Sequence, residues 1–452
     1  MKIKVKDFGP ITKGFNTDDG FMDISKVTVF LGTQGSGKST IIKLISTFSY
    51  IEKALVNKRI TPKELTYSKV VNDFFSWHSI ENFVRPETEI IYRGEKFQIT
   101  FLGNKTKPVV SQIIDTVYAS NDNYIRPKIC YIPAERNFCS AIPNVESIAG
   151  ILKNVYAVIS DFSEASNLLA NQELALPLDD FKYKYISSSK KKTVITDTGV
   201  NVQLNEAASG LQSLIPMAIV NSFYSNPENA FSKKSVAPIS TLQKNILKNH
   251  IFNTISDLKL DSIFPVLWHL EKEPDYDFLK AIALFLGEKE PRSAIVKTEA
   301  LNNEEYRKYS IYLKKIIHET IKSCLLSLVE EPEQNLFPNS QKLVLESLVE
   351  NNNYNINNKL VLTTHSPYIL GSINNCLYAG YLKKLRKTVP SNFDKQFIYP
   401  ENISAYYIGN GEITTAINYD GNLPQINHGL IDSCSKDINV AYEELCNLEF
   451  AE

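Results

Sequence analysis

An α/β fold with a mixed central sheet is predicted by three features of the sequence. The β-branched apolar run Lys26–Leu31 passes through a glycine-rich loop into the helical pattern STIIKLISTFSYI. Two later apolar runs, Cys324–Val329 and a run from Lys359, stop at residues able to do chemistry: Glu330-Glu331 and Thr363-Thr364-His365. Between the glycine loop and these runs, TEIIYRG and KFQITFLG alternate apolar and polar residues around glycine turns, which predicts an antiparallel β subdomain.

Composition narrows the class. The chain has 452 residues, enough for about two to three domains. Its 43% hydrophobic and 22% charged content is ordinary for a globular protein. Lys plus Arg is 49 and Asp plus Glu is 50, so whole-surface nucleic-acid binding has no support, although a local basic patch stays open. Cys130, Cys139, Cys324, Cys376, Cys434 and Cys446 form no CxxC, which argues against a zinc ribbon or a redox motif and fits reduced thiols. The N-terminal MKIKVKDFGPI lacks the apolar core of a signal peptide, and no apolar run approaches the roughly 20 residues a bilayer span needs. A cytoplasmic chain with no membrane partner is expected.

The loop itself is FLGTQGSGKST. Gly32, Gly37, Lys38 and Ser39 satisfy G-x-x-x-x-G-K-[ST], the P-loop, between a strand and a helix start. There the first helical N–H groups lack intrahelical partners and converge on one spot. Glycine lets the main chain curl closely around phosphate. ATP contacts are expected from Gly32, Gln34, Gly35, Ser36, Gly37, Lys38, Ser39 and Thr40. Lys38 would reach the β- and γ-phosphates, and the Ser39 hydroxyl would ligate Mg²⁺.

A P-loop needs a carboxylate to hold the metal and another group to position water. CLLSLVEEPEQNLFP supplies both at a strand end: Glu330 for Mg²⁺, usually through water, and Glu331 to polarise the attacking water. Alone, such a pair is equally a solvated strand cap. His365, at the next strand end and followed by Ser-Pro, is placed to meet a γ-phosphate. Ala208-Ser209-Gly210-Leu211-Gln212 opens an apolar helix, and its small residues and free N–H groups make a second anion site.

These four motifs follow the order shared by ATP-binding-cassette (ABC) ATPases, and the chain resembles that family. ASGLQ is similar to its LSGGQ signature, with Leu211 in place of the second glycine; Ser209, Gly210 and Gln212 are carried over as nucleotide contacts. LVEEPE, TTHSP and YIPAERN resemble the branch related to SMC proteins and to overcoming-lysogenization-defect ATPases, where Glu often replaces the first Asp of Walker B. Glu135 and Arg136 fall where the family's glutamine loop would lie. The resemblance implies an ABC-type P-loop fold, ATP hydrolysis with Mg²⁺, Glu331 and His365 as catalytic residues, and a head-to-tail homodimer that sandwiches nucleotide. It extends to the stand-alone ATPases of the Septu and PARIS antiviral systems, which work with a separate effector such as a nuclease.

The remaining segments divide the chain into expected regions. Residues 1–140 carry the P-loop and the β subdomain. Residues 141–222 carry a helical pattern, VESIAG through LALP, then strands from FKYKY onward with Lys190–Lys192 at a hairpin tip, then the signature. Residues 223–318 read as a helical insertion with no sustained heptads. Residues 319–452 carry Walker B, the switch histidine, a hairpin at ENISAYYIGNGEITTAINYDG and terminal helices. Asp420 stands alone in the tail, so the Toprim nuclease of the lysogenization-defect enzymes is not expected there. His78, His250, His269, His318 and His428 lack metal-like spacing. The expected function is a sensor ATPase of an antiviral system. An SMC-like ATPase that clamps DNA is the alternative, disfavoured by the lack of a long coiled coil and of a basic face. The long insertion disfavours a transporter subunit, and the signature disfavours a metabolic kinase.

Overall fold

A computed structural model of the protein describes residues 1–57, 59–113, 124–141, 152–178, 180–189, 191–196, 198–226, 323–421, 423–427, 429 and 440. The expected helical insertion, the terminal helices and all the histidines above except His78 and His365 lie outside the described residues or at their margins.

In chain order the strands are β1 (Lys2–Phe8), β2 (Gly14–Phe15), β3 (Phe21–Asp23) and β4 (Val27–Gly32), followed by helix α1 (Lys38–Val56). A short helix α2 (Tyr67–Lys69) and helical turns over residues 70–78 precede β5 (Val84–Arg93), β6 (Phe97–Leu102), β7 (Val109–Gln112) and β8 (Arg126–Ile132). Next come α3 (Phe138–Ala141), α4 (Lys153–Leu168), β9 (Glu173–Ala175), β10 (Phe181–Ile186), β11 (Lys191–Thr196), β12 (Asn201–Gln203) and α5 (Ser209–Ser225). The last part has β13 (Ser323–Glu330), α6 (Pro338–Asn353), β14 (Lys359–Thr364), α7 (Pro367–Lys384), β15 (Ile403–Gly409), β16 (Glu412–Thr415), β17 (Ile417–Asp420) and β18 (Leu423–Ile426).

The central sheet has the order β2-β16-β15-β4-β14-β13-β8. It is mixed, as the sequence predicts: β15, β4, β14, β13 and β8 run parallel, and β16 turns back antiparallel on β15. Strands buried on both faces explain the near-continuous apolar runs. Alternation still assigns each side chain to a face. Val27, Val29 and Leu31 of β4 join a core with α4, α5, α6 and α7, whereas Phe30 joins the opposite core with α1. Leu360 and Leu362 of β14 follow the first face, and Val361 follows the second.

The second core also holds the antiparallel sheet β3-β1-β5-β6-β7, the expected β subdomain. A further antiparallel sheet, β12-β11-β10-β9, covers the first core. Two details depart from the sequence reading. The helical pattern expected to run through LALP stops at Leu168, because Glu173–Ala175 pair with Lys182–Lys184 as an edge strand. Of the lysines expected at the hairpin tip, Lys190 lies outside the described residues; Lys191 closes the turn opposite Ile186, Lys192 pairs with Tyr185 one rung inside the ladder, and the Lys192 ammonium lies over the Phe162 ring at 4.6 Å. The hairpin β15–β16 forms as expected. Asn410 and Gly411 both take positive φ (51° and 74°), which suits the twist of a two-residue turn.

Candidate active site

Parallel strands place their carboxyl ends on one edge of a sheet, and ligands of such folds gather there. The order β4-β14-β13-β8 therefore brings four loops side by side: the P-loop, Thr364-His365, Glu330-Glu331 and Pro133–Arg136.

The P-loop curls as its glycines require. Gly32 has φ 146°, and a Cβ there would lie 2.2 Å from the Ile408 carbonyl oxygen. Gly37 caps α1 at φ 112°, with Ile11 2.6 Å from where a Cβ would stand. At Gly35 a Cβ would meet no atom within 4 Å, so the loop face there is open. The Lys38 ammonium folds back over the loop and donates to the carbonyls of Gly32 (2.7 Å) and Thr33 (2.8 Å). Burial lowers its pKa, opposed by the charges of Glu331, Glu333 and Glu330. Gln34 and Ser39 are exposed, Thr40 is buried, and the Ser36 hydroxyl is buried without a hydrogen-bond partner among the described residues. An open face, converging N–H groups and an unsatisfied hydroxyl fit a phosphate chain.

At the end of β13, Glu330 is 4% exposed. Its Oε1 accepts from the Tyr131 hydroxyl at 2.7 Å, and the Ser39 hydroxyl lies close to its side chain. Burial raises its pKa, against the Tyr131 hydrogen bond and the charge of Lys43. Ser39 and Glu330 thus offer adjoining oxygen donors, the hard ligand type Mg²⁺ takes.

Glu331 sits at φ 43°, a left-handed conformation that costs a non-glycine residue about 1–3 kcal/mol. Three neighbours hold it: its N–H donates to Thr363 O at 3.0 Å, and its carbonyl accepts from Arg136 Nη2 at 2.8 Å and from the Gln334 N–H at 3.0 Å. Its side chain stays part-exposed and faces His365, with Nδ1 3.7 Å from Glu331 Oε1.

Two further residues support the cluster in ways the motifs do not assign. Glu333 accepts from Thr364 Oγ1 (2.7 Å) and from the His365 N–H (2.9 Å), and its Oε1 lies 3.6 Å from His365 Nδ1. It fixes the turn that presents the imidazole. Arg136 is fully buried. Its Nη1 donates to Glu330 O (2.7 Å) and Pro133 O (3.3 Å), its Nη2 to Glu331 O, and its Nε to Ser213 O (3.0 Å). Burial pulls its pKa down to about 10. One guanidinium therefore ties the β8 loop, the end of β13 and the helix α5. The phrase YIPAERN is the only sequence signal for Arg136, and EEPE the only one for Glu333.

The expected signature residues do not join this cluster within one chain. Ser209 is exposed at the start of α5, and among the described residues no hydrogen bond links it to the P-loop. Gly210 packs against the loop after β13, where a Cβ would stand 2.7 Å from Asn335 O. Gln212 donates to the carbonyls of Asn205 (3.0 Å) and Ala207 (2.9 Å), which stiffens the entry to α5.

No protein-family model matches the chain. No curated protein matches it either. Among solved structures, it is similar to an SMC head bound to the C-winged-helix domain of ScpA, at 11% identity, 91% coverage of this chain, 95% of that one, and a TM-score of 0.33. It is also similar to the SMC head domain from Thermotoga maritima, at 9% identity, 91% and 96% coverage, and a TM-score of 0.32. At these scores the functional case rests on the chain's own geometry. Among the described residues no helix is long and apolar enough to cross a membrane.

Proposed function

We propose that the chain is an ATPase whose nucleotide state sets its association with a second copy, and that it serves as the sensor subunit of a bacterial antiviral system with a separate, nuclease-type effector. The observation that carries the ATPase reading is the meeting of Lys38, Glu330, Glu331 and His365 at one sheet edge. The antiviral role rests on the resemblance of LVEEPE, TTHSP and YIPAERN to the branch that the stand-alone antiviral ATPases also resemble.

The phosphates of ATP lie along the P-loop N–H groups, in the positive field of the α1 N-terminus. Lys38 exchanges its two carbonyl partners for phosphate oxygens. Ser39 and Glu330 would hold Mg²⁺, which neutralises phosphate charge when bound. Glu331 orients a water and takes its proton as the water oxygen bonds to the γ-phosphorus; the bond to the ADP oxygen breaks, giving ADP and phosphate. His365, held by Glu333, donates to the γ-phosphate. The exposed Ser209 and Gly210 serve the ATP of a partner copy, so ATP joins two protomers and hydrolysis separates them.

The test is the oligomeric mass of Glu331→Gln with and without ATP and Mg²⁺, by light scattering. ATP should stabilise a dimer in this variant, and adding Ser209→Arg should abolish it. A mass unmoved by ATP contradicts the sandwich. For the antiviral role, co-purification with the product of the neighbouring gene is expected; a chain that never binds that product argues against it.

A further inference from the structure

Beside β8, the edge strand of the central sheet, a cavity of about 570 Å³ opens between α1, the turns over residues 70–78 and α4. That volume suits a small-molecule ligand. Neither the P-loop nor His365 lines it.

Its walls carry unmet hydrogen bonds. Thr47 Oγ1, His78 Nδ1 and Asn154 Oδ1 are buried without hydrogen-bond partners among the described residues, on side chains of residues only 3%, 3% and 4% exposed. Buried polar atoms are ordinarily satisfied, so three around one cavity point to a polar molecule that completes them. Tyr50, Trp77 and Tyr156 also line it and are 49%, 43% and 48% exposed, large rings left to solvent where a planar group could stack.

The charge balance favours an anion. The Lys53 ammonium donates to Pro127 O at 2.7 Å, and among the described residues no carboxylate pairs with it. The acids on the lining are engaged elsewhere: Asp161 with Lys128 at 2.7 Å and Asp73 with Lys69 at 3.0 Å. Burial, then the charges of Lys128 and Arg59, hold the Lys53 pKa down to about 8, a penalty that a bound anion would relieve.

The cavity also reaches the carboxylate row. Tyr131, on the lining with Asn154 beside it, donates its hydroxyl to Glu330 Oε1 at 2.7 Å, and the His78 ring packs edge-on against the Tyr131 ring at 4.7 Å. We infer that this cavity is a second ligand site, for a phosphorylated planar heteroaromatic molecule of the nucleoside monophosphate class, and that Asn154 and Tyr131 transmit its occupancy to Glu330. The transmission rests on the ATPase reading; the binding does not.

Calorimetric titration of the full chain carrying Lys38→Ala, which disables the P-loop, with AMP, GMP, CMP, UMP and inorganic phosphate separates the two. At least one monophosphate should bind, with phosphate alone at least about tenfold weaker, and Trp77→Ala or Lys53→Met in that background should each weaken binding about tenfold or more. In the chain with an intact P-loop, the same monophosphate should change ATP turnover severalfold, and Tyr131→Phe should remove the response. No binding by any monophosphate, or binding unmoved by both Trp77→Ala and Lys53→Met, overturns the site. Binding with unchanged turnover overturns the transmission.

Discussion

The loop after β4 and the loop after β13 meet at the same sheet edge but are held in different ways. The P-loop is shaped from within: glycines at positive φ set its curl, and Lys38 closes it onto carbonyls five and six residues away. The glutamate loop is shaped from outside. Tyr131 and Arg136 reach it from nearly 200 residues earlier in the chain, and Thr363 and Thr364 from the neighbouring strand. A loop that carries its own conformation can be read as a motif. A loop held by distant groups keeps its geometry only while the whole domain is assembled, so the two should fail differently when perturbed.

The largest expected effect is on the externally held loop. Arg136→Met removes the donor to four carbonyls, three of them buried, and each acceptor left unsatisfied costs about 1–3 kcal/mol, so a loss of at least about 3 kcal/mol is expected. Chemical denaturation should show that loss, with turnover falling alongside. A variant of native stability would mean that the carbonyls find other partners and that the contrast is weaker than drawn. Lys38→Ala should act the other way, leaving stability near wild type while ATP binding and turnover fall about a hundredfold or more, roughly 3 kcal/mol. Nucleotide binding measured beside a melting curve separates the two outcomes.

His78 sharpens the contrast through pH. Burial, then the charge of Lys43, depresses its pKa from 6.5 to about 3. Between those values the unfolded chain binds a proton that the folded chain does not, so stability falls as pH drops below 6.5. From pH 6.5 to 5 the loss from this one group is about 1.5 kcal/mol, the slope approaching 1.36 kcal/mol per pH unit only below about pH 6. Denaturation midpoints across that window should show it, and His78→Asn should flatten the slope. The smallest effect is expected from Tyr131→Phe, which removes the hydroxyl bond to Glu330 and costs about 1 kcal/mol, seen as a severalfold fall in turnover with little change in folding.

Legibility followed the same division. Val27–Gly32, Ser323–Glu330 and Lys359–Thr364 were visible as apolar runs because parallel strands are buried on both faces, and the β15–β16 turn was visible in Asn410-Gly411. Strand β9 was hidden because three residues that pair only at an edge carry no period of their own. Arg136 was visible only as part of a phrase, and nothing local shows that its fork spans Pro133, Glu330, Glu331 and Ser213. Glu333 drew no separate reading from the sequence, yet it alone among the three glutamates of EEPE holds the His365 N–H. The cavity beside β8 draws its lining from four separate stretches of chain, so no spacing could announce it.

The central claim is that ATP held by the internally shaped loop is cleaved by the carboxylate of the externally held one. Single-turnover hydrolysis by Glu331→Gln, with ATP binding measured on the same preparation, addresses it directly. The account predicts retained binding and a cleavage rate lower by about two to three orders of magnitude. Cleavage at the wild-type rate would contradict it.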